Sequence, residues 1–280
     1  MKKLFLFVVL FFNFMFFVKV QGSYLFELEK EGKVIHLYGT YHSLSLQELP
    51  EQIQSSILNH RVLITESTDQ SSPLNYTECK NMGILHEGEC FFEMLTDKEK
   101  DELSKYVNPF LKRKNAEITI RDLNTKGLFE GYLAGHFIEG MDYALLDRFK
   151  DKTTKGLETR LTLSQYFEEL TFEQLREQLK NKGGFESEQS KQIDAAYLSG
   201  NFLRPPQSFE QDYELEFEDM RKRNASWIEP IIHYHELYGR DAIICVGVAH
   251  IYDLLLKLST RGFKIRRANN DGIFFPYLLE

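Results

Sequence analysis

Cysteine, proline and tryptophan are scarce in this chain: three, seven and one among 280 residues. No Cys-x-x-Cys pair occurs, which removes the commonest thiolate zinc sites. Positive charge is also short, with 34 Lys and Arg against 42 Asp and Glu, for a formal net charge of −8. That balance argues against nucleic acid as a partner, because phosphate binding needs concentrated positive charge. No Gly-x-Ser-x-Gly elbow is present, so Ser43, beside His42, is not read as a nucleophile. The chain shows no low-complexity tract and one long apolar run, at its start.

That run, Leu4 to Val18, follows Lys2-Lys3 and precedes Val20-Gln21-Gly22. A basic start, a short apolar stretch and small or medium residues before a cut describe a secretory signal peptide over residues 1–22. The expectation is export, to a secreted, periplasmic or cell-surface location; the alternative is membrane association through an uncleaved N-terminal anchor. In an exported protein Cys79 and Cys90, in a loop-like stretch, could close a small disulfide. Cys245 falls within an apolar run and is expected to be buried and inert. Sequons at Asn75-Tyr76-Thr77 and Asn224-Ala225-Ser226 would matter only in a eukaryotic secretory pathway.

The segment Asp241 to Arg267 organises the rest. Ala242–Val246 reads as a buried strand, Gly247-Val248-Ala249-His250 as a tight turn, Ile251–Ser259 as a helix ended by Gly262, and Phe263-Lys264-Ile265 as the start of a second strand. This is a βαβ unit with parallel strands and a right-handed connection. Near the other end, Val34–Tyr38 alternates as a strand and turns through Gly39-Thr40-Tyr41-His42. Ser45-x-x-Glu48 then opens a helix to about Asn59, and Arg61–Glu66 is a strand ending on a carboxylate. Both turns have the form Gly-x-x-His. His42, His250 and Glu66 all fall past or at the carboxyl ends of strands, where open α/β sheets place their working residues.

Tyr24–Glu29 and Lys33–Tyr38 should form an entry hairpin, turned at Lys30-Glu31-Gly32. The middle reads as helical: Lys98–Val107 ended by Pro109, Thr125–Glu139, Asp142–Lys150, then helices from Leu163, from Thr171 and over Ser187–Ser199. Thr154–Glu158 is a brief extended piece, Arg204-Pro205-Pro206 a break, and Phe209–Leu237 a long polar helix. The expected fold is therefore α/β, with βαβ units forming a central, largely parallel sheet. One domain over 23–280 would have its sheet core at about 23–67 and 207–280, and a helical insert at about 68–206 covering the active edge.

The strand–GTYH turn, the strand ending in Glu66, and GVAH near the C-terminus resemble the TraB/PrgY/GumN family, which includes the Tiki-type proteases. Gly140-Met141-Asp142, Gly156-Leu157-Glu158-Thr159 and Arg223-Asn224 add to the likeness, which runs from about residue 33 to 270. The resemblance implies a metal-dependent hydrolase with His42, His250 and Glu66 as the metal centre. It implies manganese or cobalt before zinc, and a peptide or protein as substrate. Independently, two imidazoles and a carboxylate are a workable ligand set for a divalent transition metal. Glu158 is the candidate general base and Arg223 the candidate oxyanion cation, each weighed against a solvated side chain. Asn224 would bind metal water or face solvent.

The remaining histidines, His36, His60, His86, His136, His233 and His235, read as surface or core residues. The competing function classes are a non-catalytic protein that binds haem, with Tyr24, Tyr38 and Tyr41 near the entry, and one that sequesters a secreted peptide, as pheromone-shutdown relatives are thought to do. Oligomeric state is not legible.

Overall fold

The computed structural model describes residues 22–67, 73–159, 170–180, 195–200 and 214–277. The expected signal segment, the helix from Leu163, most of Ser187–Ser199 and the Arg204-Pro205-Pro206 break lie outside them. The architecture is α/β, built on a seven-stranded sheet in the order β4-β3-β5-β2-β1-β6-β7. The strands are β1 (Gly22–Lys30), β2 (Lys33–Thr40), β3 (Val62–Ser67), β4 (Thr153–Glu158), β5 (Ala242–Gly247), β6 (Lys264–Asn269) and β7 (Phe274–Pro276).

β1 and β2 form the expected antiparallel hairpin through Glu31-Gly32, both at positive φ. β2 pairs parallel to β5, and β3 pairs parallel to β5 and β4. β1 pairs antiparallel to β6, so β6 runs in the same sense as β5, with β2 and β1 between them. Five strands thus point one way, while β1 and β7 oppose them. From β2 the chain crosses past β5 to β3; from β5 it crosses the other way, past β2 and β1, to β6. Right-handed crossovers in opposite directions put their helices on opposite faces. Both faces of the central strands are therefore covered, and β1 is buried from Ser23 to Leu28. β1 is thus buried on both faces there, rather than alternating inside and outside as a one-sided strand would.

The crossover helices are α1 (Glu51–Leu58) and α8 (Val248–Thr260), and the long helix before β5 is α7 (Glu214–Tyr238). The expected helix from Ser45 is split. Ser45 and Glu48 do form a capping box, but around a single 3-10 turn. Leu49 is extended because it precedes Pro50, and α1 begins only after the proline. α8 starts three residues earlier than its sequence suggests, so His250 lies in the first helical turn rather than in a loop. Glycine at 39 lets this turn approach: a Cβ there would meet Ile251 Cγ1 at 2.8 Å and Val248 Cα at 3.3 Å.

Between β3 and α7 the described helices include α2 (Tyr76–Asn81), α3 (Asp97–Arg113), α4 (Thr125–His136), α5 (Met141–Arg148) and α6 (Phe172–Lys180), and residues 195–198 are helical as well. Leu103, Val107 and Leu111 continue one buried stripe through α3, and Pro109 lies inside that helix instead of ending it. A hydrophobic cluster that includes Leu103, Leu128, Tyr132 and Leu175 is separate from the one around the sheet. Thr153–Glu158 is more than a brief extended piece: as β4 it forms one edge of the sheet. No disulfide joins Cys79 and Cys90, and Cys245 is buried in β5 as expected. Among the described residues no helix is long and apolar enough to cross a membrane.

Candidate functional site

All five side chains singled out in the sequence converge at the carboxyl edge of β3, β4, β5 and β2. Gly247, the last residue of β5, marks the centre. A Cβ at that position would lie 3.3 Å from Glu66 Oε1, 3.5 Å from His42 Nε2 and 3.6 Å from His250 Cδ2. Parallel pairing sets this up, since β5 is registered with β2 on one side and β3 on the other. The two Gly-x-x-His turns then leave adjacent strands at one level.

Each imidazole is braced from behind. His42 Nδ1 bonds to Asp142 Oδ2, and Thr40 Oγ1 donates to Asp142 Oδ1 at 2.8 Å. Asp142 stands in the first turn of α5, which is brought against the His42 turn by Gly140: a Cβ there would fall 1.9 Å from the His42 carbonyl oxygen. His250 Nδ1 lies 2.6 Å from Asn224 Oδ1. With both Nδ1 atoms engaged, the two Nε2 atoms are left for the cleft. Tyr197 clamps the same turn from another side. Its hydroxyl donates to Gly39 O at 2.7 Å, and its ring stacks on Tyr24 and Tyr41. Tyr24 and Tyr38 are thereby core residues.

Arg223, on α7, joins the two carboxylates. Its Nη2 donates to Glu66 Oε2 at 2.9 Å and to Glu158 Oε1, and its Nε donates to Glu158 Oε1 at 3.1 Å. Trp227 Nε1 donates to Glu158 Oε2 at 3.1 Å, and the Trp227 ring also packs 4.6 Å from that of His250. Glu66 Oε1 accepts from the Gly247 amide at 2.8 Å and lies 3.8 Å from His250 Nε2. Neither Glu158 nor Arg223 is a solvated side chain; Glu158 is 9% exposed.

Burial opposes a charged His42, but the Asp142 carboxylate outweighs it and pushes the pKa up to about 9. Burial dominates at His250 and brings it down to about 4, against the pull of Glu66. For Glu66 the burial penalty is overcome by His250, Arg223 and His42, which hold it at about 2. Arg223 is held charged by Glu66 and Glu158 despite its burial.

Among the described residues no three His, Cys, Asp or Glu side chains form a ready cation cage. The donor chemistry nevertheless fits a divalent ion: His42 Nε2 and the His250 ring converge on one point with a carboxylate oxygen beside it, and fixing Nδ1 is the usual way to orient such ligands. Thr40 (within the GTYH turn), Trp227 and Tyr197 were not legible as site residues, and Asp142 was marked only as part of the Gly140-Met141-Asp142 likeness, without a role. Asn224 neither faces solvent nor reaches the cleft centre; it is fully buried behind His250, so its sequon is inaccessible, whereas Asn75 is exposed.

Fold and site together define an α/β protein with a histidine–carboxylate–arginine cleft at the carboxyl edge of its sheet. The chain belongs to the TraB/PrgY/gumN family, whose model matches residues 24–267. Neither the curated proteins nor the solved structures compared with it give a match.

Proposed function

We propose that this protein is a divalent-metal-dependent hydrolase, of the Tiki-type metallopeptidase kind, acting on peptides or proteins outside the cytoplasm. One observation carries the reading: His42 Nε2, Glu66 Oε1 and the His250 ring all lie within 3.6 Å of a single point at Gly247. His42 and His250 would hold the ion, with Glu66 on the third side. Manganese or cobalt is favoured and zinc is compatible with the same donors. When bound, the ion supplies Lewis acidity, polarising a carbonyl and making water a better nucleophile at neutral pH.

The chain's own groups do the rest. Glu66 Oε1 is the carboxylate nearest the point and takes the proton from the attacking water. Arg223 stands beside Glu66 and offers a fixed cation to the oxyanion that forms on the substrate. Both carboxylates accept a donor on each oxygen, so position separates them: Glu66 Oε1 lies at the point, while Glu158 is held by Arg223 and Trp227 and anchors the guanidinium. Asp142 and Asn224 keep the imidazoles aimed.

Glu66→Gln tests this directly, because it keeps the shape and removes the base. Hydrolysis of a peptide library should fall at least about a hundredfold with peptide binding retained, in the range for loss of general base catalysis. Undiminished hydrolysis would refute the assignment. Peptide binding with an unchanged biological effect and no turnover in either form would move the site to sequestration.

A further inference from the structure

We propose that Asp253, which does not touch the cleft, is a positioning residue that sets the tautomer of His250. The consequence for metal binding rests on the function proposed above; the tautomer itself does not.

The argument starts from Asn224, a buried amide with one accepting end and one donating end. Its Oδ1 lies 2.6 Å from His250 Nδ1. Its Nδ2 lies 2.8 Å from Asp253 Oδ2 and 3.5 Å from the His250 backbone oxygen. A carboxylate and a carbonyl only accept, so the NH2 end must face them. The oxygen then faces His250, and Nδ1 must carry the proton. Nε2 is left with its lone pair toward the cleft, 3.8 Å from Glu66 Oε1. Turning the amide over would set its oxygen against the Asp253 carboxylate and the His250 carbonyl, with Asn224 itself fully buried and without a donor for either. It would also donate to Nδ1 and move the imidazole proton to Nε2, blocking the atom that faces the cleft.

α8 makes the arrangement local. His250 and Asp253 are three residues apart on one helix face, and Asn224 reaches across from α7 to span them. Lys257, one turn further along, donates to Asp253 Oδ1 at 2.6 Å and holds the carboxylate in place. The two histidines are therefore braced differently: His42 by a carboxylate directly, His250 by a carboxylate one amide removed.

The test is nitrogen NMR of ¹⁵N-histidine-labelled, metal-free full-length protein, with the His250 signals assigned by their loss in His250→Gln. The wild type should show a protonated Nδ1 and an unprotonated Nε2. Asp253→Leu should mix or invert that pattern and weaken zinc binding about ten- to a hundredfold, the usual cost of removing an outer hydrogen-bond partner. Lys257→Met, which keeps the Asp253–Asn224 bond, should leave the tautomer unchanged. A protonated Nε2 in the wild type would overturn the proposal without any variant. So would a folded Asp253→Leu, or Asp253→Ser should the leucine form not fold, that keeps the wild-type signals. Because no turnover is read, failure of the hydrolase reading leaves this result interpretable.

Discussion

Replacing Gly247 by alanine should separate folding from function more cleanly than removing any charged group. Gly247 has φ −52° and ψ 137°, which alanine adopts without strain. The added methyl carbon would sit 3.3 Å from Glu66 Oε1, 3.5 Å from His42 Nε2 and 3.6 Å from His250 Cδ2. The first distance asks Glu66 to give by a few tenths of an ångström, and the other two are ordinary contacts. Against that, restricting the unfolded chain contributes about 0.4–1 kcal/mol. Net stability should stay within about 1 kcal/mol, a shift of no more than about 4 °C in Tm for a chain of this size. Function should fare differently. An ion held at about 2 Å from imidazole nitrogens has no room where a methyl already fills the space between them. Metal affinity and kcat/KM should each fall at least about a hundredfold, equivalent to about 2.7 kcal/mol. Thermal melts, calorimetric metal titration and peptide hydrolysis on one preparation give the answer. A Gly247→Ala protein that melts normally, binds metal and hydrolyses peptide at wild-type rates would refute the placement of the centre.

Asp142→Asn removes the charge that keeps His42 protonated, so the His42 pKa should drop from about 9 toward or below its ordinary value of 6.5. Titration by NMR reads this, and a value still near 9 would mean that Asp142 is not the cause. At the opposite end of β2, burial, then His60, Arg240 and Arg266, hold His36 down at about 3 against 6.5 in the unfolded chain. Between those values the unfolded state binds a proton that folded His36 refuses. Stability therefore falls as pH drops from 6.5 toward 3, with a contribution of up to about 1.4 kcal/mol per pH unit. Denaturant melts of wild type and His36→Gln over pH 4–6 should show a shallower slope in the variant; equal slopes would count against the assignment.

The sheet edge was legible because apolar runs ending in Gly-x-x-His, and Arg61–Glu66 ending on a carboxylate, fix both strand direction and side-chain level. Parallel pairing then does the assembly. The bracing layer was not legible, for a physical reason. Asp142 lies a hundred residues from His42 and meets it only because glycine at 140 admits a backbone carbonyl; nothing local in the sequence reports that approach. The same holds for Tyr197, whose hydroxyl reaches Gly39 from 158 residues away. Arg223 and Asn224 look like part of a solvated polar helix because α7 has little amphipathic contrast, yet Asn224 and Trp227 are fully buried. Pro109 misled for the opposite reason: a local breaker was overridden by a buried stripe that continues past it. The split at Pro50 was written in the sequence, since the residue before a proline avoids helical backbone.

The central claim is that His42 and His250 jointly hold a divalent ion. Its most direct test is calorimetric titration of chelator-treated protein with manganese, cobalt and zinc, alongside His42→Ala and His250→Ala. The account predicts saturation at about one ion per chain in the wild type with at least one of the three metals, and loss of that binding in both variants while their thermal melts stay cooperative. Binding that survives in both variants, or no binding of any of the three metals to the wild type, would contradict it.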